Sequence, residues 1–322
     1  MKHISILVLK EGILGSIEGP HKVFTEVNIF LESMGKPPIF DVHLVGLTKE
    51  TPLKDGLFAV HTEHTIDCVD KTDLIIIPAM HGDMEKALEL NQAFIPWIIK
   101  HYKAGAELAS LCVGSFLLAS TGLLQGRKCS THWIAANEFR KLFPEVNLVP
   151  DKIVTDENGI YSSGGAYSYL NLIIYLIKKF AGREMAILCS KVFEIDIERG
   201  SQGPFIMFQS QKDHEDEPIK KAQEFIESNF QEKITVDQLA SMVALSRRNL
   251  ERRFKKATAN TVVEYIQRVK IEAAKMSLES SRENVNEVMY TVGYTDPKAF
   301  RLTFKRVTGL SPMQYRNKYN YN

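Results

Sequence analysis

One pattern occurs twice near the end of this 322-residue chain, its two copies fifty residues apart. In each copy a short amphipathic segment stops at a tight break. A capping side chain follows, and a second segment begins that is apolar on one stripe and basic elsewhere. In the first copy, Ile234-Thr235-Val236-Asp237-Gln238-Leu239-Ala240 opens a helix with Thr235 as its N-cap. Leu239, Ala240 and Val243 mark its inner face. Ala244-Leu245-Ser246 breaks it, and Ser246 caps Arg247–Lys256, in which Leu250 and Phe254 face inward. In the second copy the helix is Val285–Val292, the break is Gly293-Tyr294-Thr295, and the cap is Asp296. Pro297 takes the first helical position, where its missing N–H costs nothing. Phe300 and Phe304 are the inward residues of Lys298–Arg306. Between the copies, Val262–Ser280 reads as one helix, about 28 Å long at ~1.5 Å per residue.

A short helix, a tight turn and a basic second helix make a helix-turn-helix, whose second helix fits the major groove of DNA. The long helix between the copies suits two such readers set about one DNA turn, ~34 Å, apart. The formal net charge of +1 argues against nucleic acid only if it is evenly spread, and it is not. Residues 1–215 hold 21 basic and 26 acidic side chains, and residues 216–322 hold 19 and 13. From Arg247 onward the count is 16 against 7, and ten of the basic residues fall in Arg247–Lys256 and Lys298–Arg306. An acidic first part is thus joined to a basic second part. The polar stretch Gln209–Pro218 (QSQKDHEDEP) reads as the joint.

The end of the second copy carries further marks: Val292-Gly293-Tyr294-Thr295-Asp296, Ala299-Phe300, Phe304-Lys305, then Thr308-Gly309-Leu310-Ser311-Pro312-Met313-Gln314-Tyr315-Arg316. With these residues the region 218–320 resembles the DNA-binding domain of the AraC/XylS family. The resemblance implies that Arg248, Glu251 and Arg252 meet base edges from the first reader helix, and Lys298 and Arg301 from the second. Arg247, Lys255, Lys256, Lys305 and Arg306 are the expected phosphate contacts. Leu302 departs from the family, which often has arginine there, and Arg301 stands beside it.

The first part alternates apolar runs with helix-like segments. The runs are His3–Leu9, Phe40–Gly46, Leu74–Pro78 and Glu107–Cys112, and the segments include His21–Met34 and Met84–Tyr102. This alternation predicts an α/β sandwich with a largely parallel sheet. Leu57–Val60 and Thr65-Ile66 suggest a short hairpin. Helices are expected at Val113–Thr121, His132–Leu142, Ala166–Phe180 and Arg183–Val192, with short strands at Val146–Val149, Ile153–Thr155 and Ile160–Ser162. The opening run Ile4–Leu9 is too short for a signal peptide, and no uncharged stretch reaches the ~20 residues of a membrane span. A cytoplasmic protein without a membrane partner is expected. Cys68, Cys112, Cys129 and Cys189 form no CxxC pair, so neither a disulfide frame nor a metal site is expected.

Within Ala109-Ser110-Leu111-Cys112-Val113-Gly114-Ser115-Phe116 a buried strand ends and a helix begins at once. A cysteine in such a turn lies near free N–H groups, which lower a thiol pKa and can bind an anion. His132 follows twenty residues later. Together they are the parts for nucleophilic catalysis. From spacing alone the plainer reading leads: Cys112 a small buried hydrophobe and His132 a helix-starting hydrogen bonder.

The stretches LCVGSFLLASTGLLQGRKCSTHW and FPEVNLVPDKIVTDENGIYSSGGAYSYLNL are similar to the PfpI/ThiJ superfamily, relatives of the class I glutamine amidotransferases. The similarity spans residues 3–195, is sharpest at Cys112, His132 and Ser163-Gly164-Gly165, and implies a flavodoxin-like sandwich. Catalytic members carry a glutamate poised on the cysteine. Alignment on Pro20 puts Ser16 there, with Glu18 two residues away. Members also have Gly-Gly after the proline of the fourth strand, where this chain reads Pro78-Ala79-Met80-His81-Gly82. With these departures the expectation is a pocket that binds a small molecule and does little or no chemistry, with no cofactor. Its candidate lining is Ser16, Glu18, Met80, His81, Cys112, Val113, His132 and Gly165.

The joint arrangement resembles GlxA-type transcriptional regulators. It implies a sensor and dimerisation domain at 1–205, a linker at 206–218 and an all-α DNA-binding domain with two helix-turn-helix units at 219–322. The implied partners are double-stranded DNA, a small-molecule effector and a second copy of the chain. The rival expectation is a cysteine hydrolase or amidase with a DNA-binding tail.

Overall fold

The computed structural model describes residues 1–197, 200–208, 211–212 and 214–320. It divides into two units, residues 1–202 and 203–322. In the first unit the strands are β1 Lys2–Val8, β2 Phe40–Gly46, β3 Glu50–Leu53, β4 Phe58–His61, β5 His64–Thr65, β6 Leu74–Ile77, β7 Glu107–Ser110, β8 Lys128–Cys129, β9 Asn147–Leu148, β10 Val154–Asp156 and β11 Ile160–Ser163. Its helices are α1 Leu14–Ser33, α2 Met84–Asn91, α3 Phe94–Lys103, α4 Ser115–Ser120, α5 Ala136–Leu142, α6 Tyr169–Ala181 and α7 Arg183–Val192.

The main sheet runs β10-β11-β7-β6-β1-β2-β5, parallel except for the edge pair β10–β11. Strands buried on both faces read as continuous apolar runs, and β1 and β6 are of this kind. Their alternate residues enter different cores. Ile4, Ile6, Val8, Leu74 and Ile76 pack with α1, α6 and α7, whereas Leu7, Ile75 and Ile77 pack with residues of α2, α3, α4 and α5. The flavodoxin-like sandwich with its mostly parallel sheet is as expected. Among the described residues no helix is long and apolar enough to cross a membrane.

Four local expectations are corrected. The hairpin is β3–β4, not Leu57–Val60 with Thr65-Ile66; β5 instead joins the main sheet beside β2. Lys54, Asp55 and Gly56 make its turn, all three at positive φ, and Asp-Gly is the signal that marks such a turn. The segment Met84–Tyr102 is two helices, because the Pro96 ring would collide with the carbonyl of residue 92 in a continuous one. Helix α1 starts at Leu14 rather than after Pro20. The turn before the proline is fixed from outside, by Tyr169 Oη donating to the Gly15 carbonyl at 2.6 Å. Helix α6 begins at Tyr169 rather than Ala166, since Gly165 sits at φ 71° and ends the preceding turn.

The second unit holds α8 Glu217–Ser228, α9 Val236–Met242, α10 Arg247–Thr258, α11 Val262–Ser280, α12 Val285–Thr291, α13 Pro297–Thr308 and α14 Pro312–Tyr319. The expected caps form. Thr235, Ser246 and Asp296 each accept a backbone N–H from the turn they precede, and α11 has the predicted bounds. The copies match beyond the helices. Thr258 and Thr308 both turn their hydroxyls to the carbonyl four residues back, at 2.8 Å. Tyr265 and Tyr315 both donate to a buried-side glutamate, Glu227 and Glu279. Of the expected linker, Gln209, Ser210 and Asp213 lie outside the described residues. Phe208 stacks edge-on to Tyr265 at 5.0 Å, and Lys275 Nζ donates to the Ile206 carbonyl at 2.6 Å.

Each turn needs left-handed backbone. The second copy uses Gly293 at φ 75°, whereas the first uses Ala244 at φ 52°. Ala259 ends α10 at φ 54° where Gly309 ends α13. An L-residue in this region costs ~1–2 kcal/mol, part of which glycine gives back as chain entropy. Ala244→Gly and Ala259→Gly are expected to stabilise the second unit by up to ~1 kcal/mol each. Gly293→Ala should destabilise it by ~3 kcal/mol or more, since a Cβ there would lie 1.9 Å from the Gln231 carbonyl oxygen. Chemical denaturation of the full chain, followed by its helical signal, checks both signs.

Candidate functional site

In the main sheet β1 continues to β2 on one side while β6 and β7 build out on the other. The crevice at the carboxyl ends of β1 and β6 is therefore the topological switch point, where ligands of open α/β sheets bind. Here the two exits are stitched together. Ile13 N–H donates to the Ala79 carbonyl and His81 N–H to the Glu11 carbonyl, both at 2.9 Å. The buried Ser16 hydroxyl accepts the Ala79 N–H at 3.0 Å and donates to the Ile13 carbonyl at 2.7 Å. That N–H is thereby consumed inside the protein and is not free to bind an oxyanion.

Cys112 ends the next strand at φ 55°, in the sharp turn before α4. Its N–H donates to Ser163 Oγ at 3.3 Å, and its carbonyl accepts from Thr131 Oγ1 at 3.4 Å. Of the two readings that the sequence leaves open, the structure fits the small buried hydrophobe: the thiol is not acidified. It is instead pushed up to about 12, because burial outweighs the single Val113 N–H that favours the thiolate. The side chain is 5% exposed, so the thiol stays protonated at neutral pH. His132 is half-buried, and burial pushes its pKa down. Its Nδ1 accepts the Ile134 N–H at 3.2 Å, which leaves the proton on Nε2. The ring thus presents a donor, not a base.

The other candidates differ in exposure. Met80 is buried under the Asn91 amide, and Glu18 is exposed on α1. Val113 is half-buried against the core, and Gly165 lies past β11. His81 Nε2 is 3.4 Å from the Glu11 carboxylate. A cavity of 350 Å³ opens beside it, between Gly12–Gly15 and the β3–β4 hairpin residues Leu53, Lys54 and Phe58. His81 alone of the eight candidates is among its lining residues. Among the described residues no three His, Cys, Asp or Glu side chains are placed to hold a metal ion.

In the second unit the buried stripes Leu250/Phe254 and Phe300/Phe304 turn the basic faces of α10 and α13 outward. Arg247, Arg248, Glu251, Arg252, Lys255 and Lys256 are exposed on the first, and Lys298, Arg301, Lys305 and Arg306 on the second. They are not equally free. Arg247 is paired with Asp237 at 3.3 Å and with Glu251 at 3.2 Å. Arg252 donates to Asn249 at 3.0 Å, and Arg306 donates to Gln267. The side chains of Arg248, Lys256, Lys298, Arg301 and Lys305 make no hydrogen bond or ion pair with the described residues. A groove of 610 Å³ runs between the basic face of α10 and the start of α11.

Residues 25–179 match the DJ-1/PfpI family, and residues 239–318 match the family described as Helix-turn-helix domain. The chain joins a DJ-1/PfpI domain to an AraC-type helix-turn-helix domain. It is 29% identical over 225 residues to the HTH-type transcriptional regulator GbdR of Pseudomonas aeruginosa. That match covers 66% of this chain and 58% of GbdR, so the chain spans less than two thirds of that relative. It is 23% identical over 217 residues to the HTH-type transcriptional regulator GlxA of Rhizobium meliloti, covering 67% of each. A putative transcriptional regulator from Vibrio parahaemolyticus has the same fold as the first domain. Its TM-score is 0.53 at 22% identity, over 59% of this chain and 98% of that one.

The DJ-1/PfpI domain also contains a residue that the sequence reasoning missed. Gln202 is 2% exposed, and its amide nitrogen, with two hydrogens to share, lies 3.0, 2.9 and 3.1 Å from the carbonyl oxygens of Thr131, Pro150 and Lys152. It fills the space over Gly164, where a Cβ would lie 1.8 Å from it. It thereby ties the last residue of the domain to the loop that carries His132. Ser201-Gln202-Gly203-Pro204 reads as plain loop, so no local signal announced it.

Alkylation tests the state of the cysteines. With iodoacetamide at pH 7.5, mass spectrometry should find exposed Cys68 modified first and Cys112 protected until denaturation. Because the folded Cys112 thiol ionises near 12 rather than near 9, any native modification should still be accelerating above pH 9 instead of levelling off. Rapid modification of Cys112 at neutral pH would contradict a buried, protonated thiol.

Proposed function

We propose that the protein is a sequence-specific regulator of transcription that binds double-stranded DNA as a homodimer and is controlled by a small molecule held in its DJ-1/PfpI domain. The observation that carries this reading is the duplicated helix-turn-helix, with two capped helices that both expose a basic face. Neutral α-helical hairpins are common, but a repeated pair sharing one spacer helix is a surface matched to a duplex. The regulators GbdR and GlxA support the same conclusion by similarity.

In this reading the DJ-1/PfpI domain is not an enzyme. Acyl transfer by a thiol needs the thiolate, a base and an oxyanion donor. Here the thiol is protonated, the imidazole offers a proton, and the Ala79 N–H is already bonded to Ser16. The hydrolase alternative rests on Cys112 at the strand-to-helix turn and on His132, and these three features count against it. The effector binds at the carboxyl edge of the sheet, with His81 as the candidate that also borders the open cavity. It acts by preferring one of two states of the dimer, and can shift their balance only by its differential affinity.

On DNA, Arg248, Arg252, Lys298 and Arg301 meet base edges, and Glu251 does so once Arg247 releases it. Lys255, Lys256, Lys305, Arg306 and Arg247 contact phosphates. Arg252→Ala should then cost ~1–3 kcal/mol on the preferred sequence and little on random DNA. Lys256→Ala should weaken all sequences alike and reduce the salt slope by about one unit. Fluorescence anisotropy at several salt concentrations separates the two. Equal behaviour of both variants would remove this division of labour.

For the sensor, thermal shift of the full chain against a metabolite panel should find a ligand whose stabilisation grows with concentration. His81→Ala should lose at least half of that shift. A ligand effect indifferent to residue 81 would place the effector elsewhere.

A further inference from the structure

The two reader helices align residue for residue when the first is shifted by fifty. Arg248 falls on Lys298, Glu251 on Arg301, Lys255 on Lys305 and Lys256 on Arg306. Among these exposed positions one cation is replaced by an apolar side chain, since Arg252 falls on Leu302. Leu302 is not turned inward to compensate. It is 62% exposed, while the inward stripe of α13 is complete without it in Phe300, Thr303 and Phe304. Its neighbours one turn away on the same face are Lys298, Lys305 and Arg306. An isolated exposed leucine is ordinary, but this one occupies the centre of a face whose other large side chains are cationic.

We propose that Leu302 reads the methyl group of a thymine, so that the second helix-turn-helix selects its half-site partly by apolar contact where the first uses Arg252. The inference rests on the DNA-binding reading above. Lys305 and Arg306 hold the phosphate backbone on one side of Leu302 and Lys298 reaches a base edge on the other, which sets Leu302 against the groove floor between them. In the major groove only thymine presents a methyl group, and an aliphatic side chain that covers it gains by removing both from water. An arginine at the same helical position would favour guanine instead, through its O6 and N7 acceptors. The two units thus read different bases at corresponding positions, which makes an asymmetric site and fixes the orientation of each chain on it.

The test starts from the full-length protein and a randomised duplex library, from which bound sequences are enriched. In the enriched site each thymine is replaced in turn by deoxyuridine, which removes the methyl group and leaves the pairing and hydrogen-bonding edges intact. One thymine is expected at which this change weakens binding about fourfold, the worth of one buried methyl group. Leu302→Ala should bind the thymine and deoxyuridine duplexes equally. Leu302→Arg should prefer guanine at that position, and Arg252→Leu should create a second methyl-dependent thymine in the other half-site. If sequences are enriched but no thymine shows methyl dependence, or if Leu302→Ala retains it, the Leu302 inference is overturned while the regulator reading stands. If no sequence is enriched at all, both fall. The deoxyuridine comparison uses the unmodified protein, so it does not depend on any variant folding.

Discussion

The second unit depends on one helix having to supply two cores. The first half of α11, with Val262 and Tyr265, closes the cluster that contains Leu250 and Phe254. The second half, with Ile271, Ala274 and Leu278, closes the cluster that contains Phe300, Phe304 and Tyr315. Neither small cluster is a large core, and a helical hairpin alone buries too little to be stable. Sharing a single 19-residue helix solves this for both. It also has a functional consequence. Because the inward stripes of α10 and α13 are pinned to one rigid element, their basic faces are fixed relative to each other.

In the first unit the corresponding constraint is the satisfaction of polar groups at a buried sheet edge. Buried N–H and hydroxyl groups need partners, and the carboxyl ends of parallel strands expose several of them. The chain answers with side chains of its own: Ser16 for Ala79, Ser163 for Cys112, and Gln202 for three carbonyls. The Ser16 bond uses the Ala79 N–H, which an oxyanion site at this edge would keep free. A hydrogen bond that makes the edge rigid therefore also makes it a poor place for acyl chemistry. Lys54 and His81, which border the open cavity, lie outside this network of tertiary side-chain bonds.

The legible parts of the sequence were those governed by local rules. The caps Thr235, Ser246 and Asp296, the bounds of α11, and the strand Phe40–Gly46 follow from neighbours within a turn or two. Where distant residues decide, sequence reading failed. Helix α1 begins before Pro20 because a tyrosine 154 positions away bonds to Gly15. At Cys112 the sequence left two readings open, and burial decides between them: acidification by a helix start requires solvent or charge nearby, and neither reaches a buried sulfur. Gln202 escaped notice because its role exists only after the chain has returned to the sheet edge. The break at Pro96 and the Lys54-Asp55-Gly56 turn are different, since both carried a local signal that periodicity overrode.

Formal charge needs the same correction by tertiary structure. The second half of the sequence carries an excess of cations, but that excess is not all available to a polyanion. Arg253 is spent on Asp216 through two hydrogen bonds of 2.6 and 2.9 Å, and it holds that carboxyl below the usual carboxylate range. Arg247 is shared between Asp237 and Glu251. Lys270 and Lys275 are buried in α11 and donate to backbone carbonyls. What remains unpaired is concentrated on the outer faces of α10 and α13, where Arg248, Lys256, Lys298, Arg301 and Lys305 stand. Counterion release scales with the phosphates neutralised, not with the cations in the sequence. Internal pairing therefore both lowers the affinity that the composition suggests and sharpens where it acts. Cations locked into the fold attract DNA less, and the unpaired cations of α10 and α13 stand on helices whose geometry suits the groove.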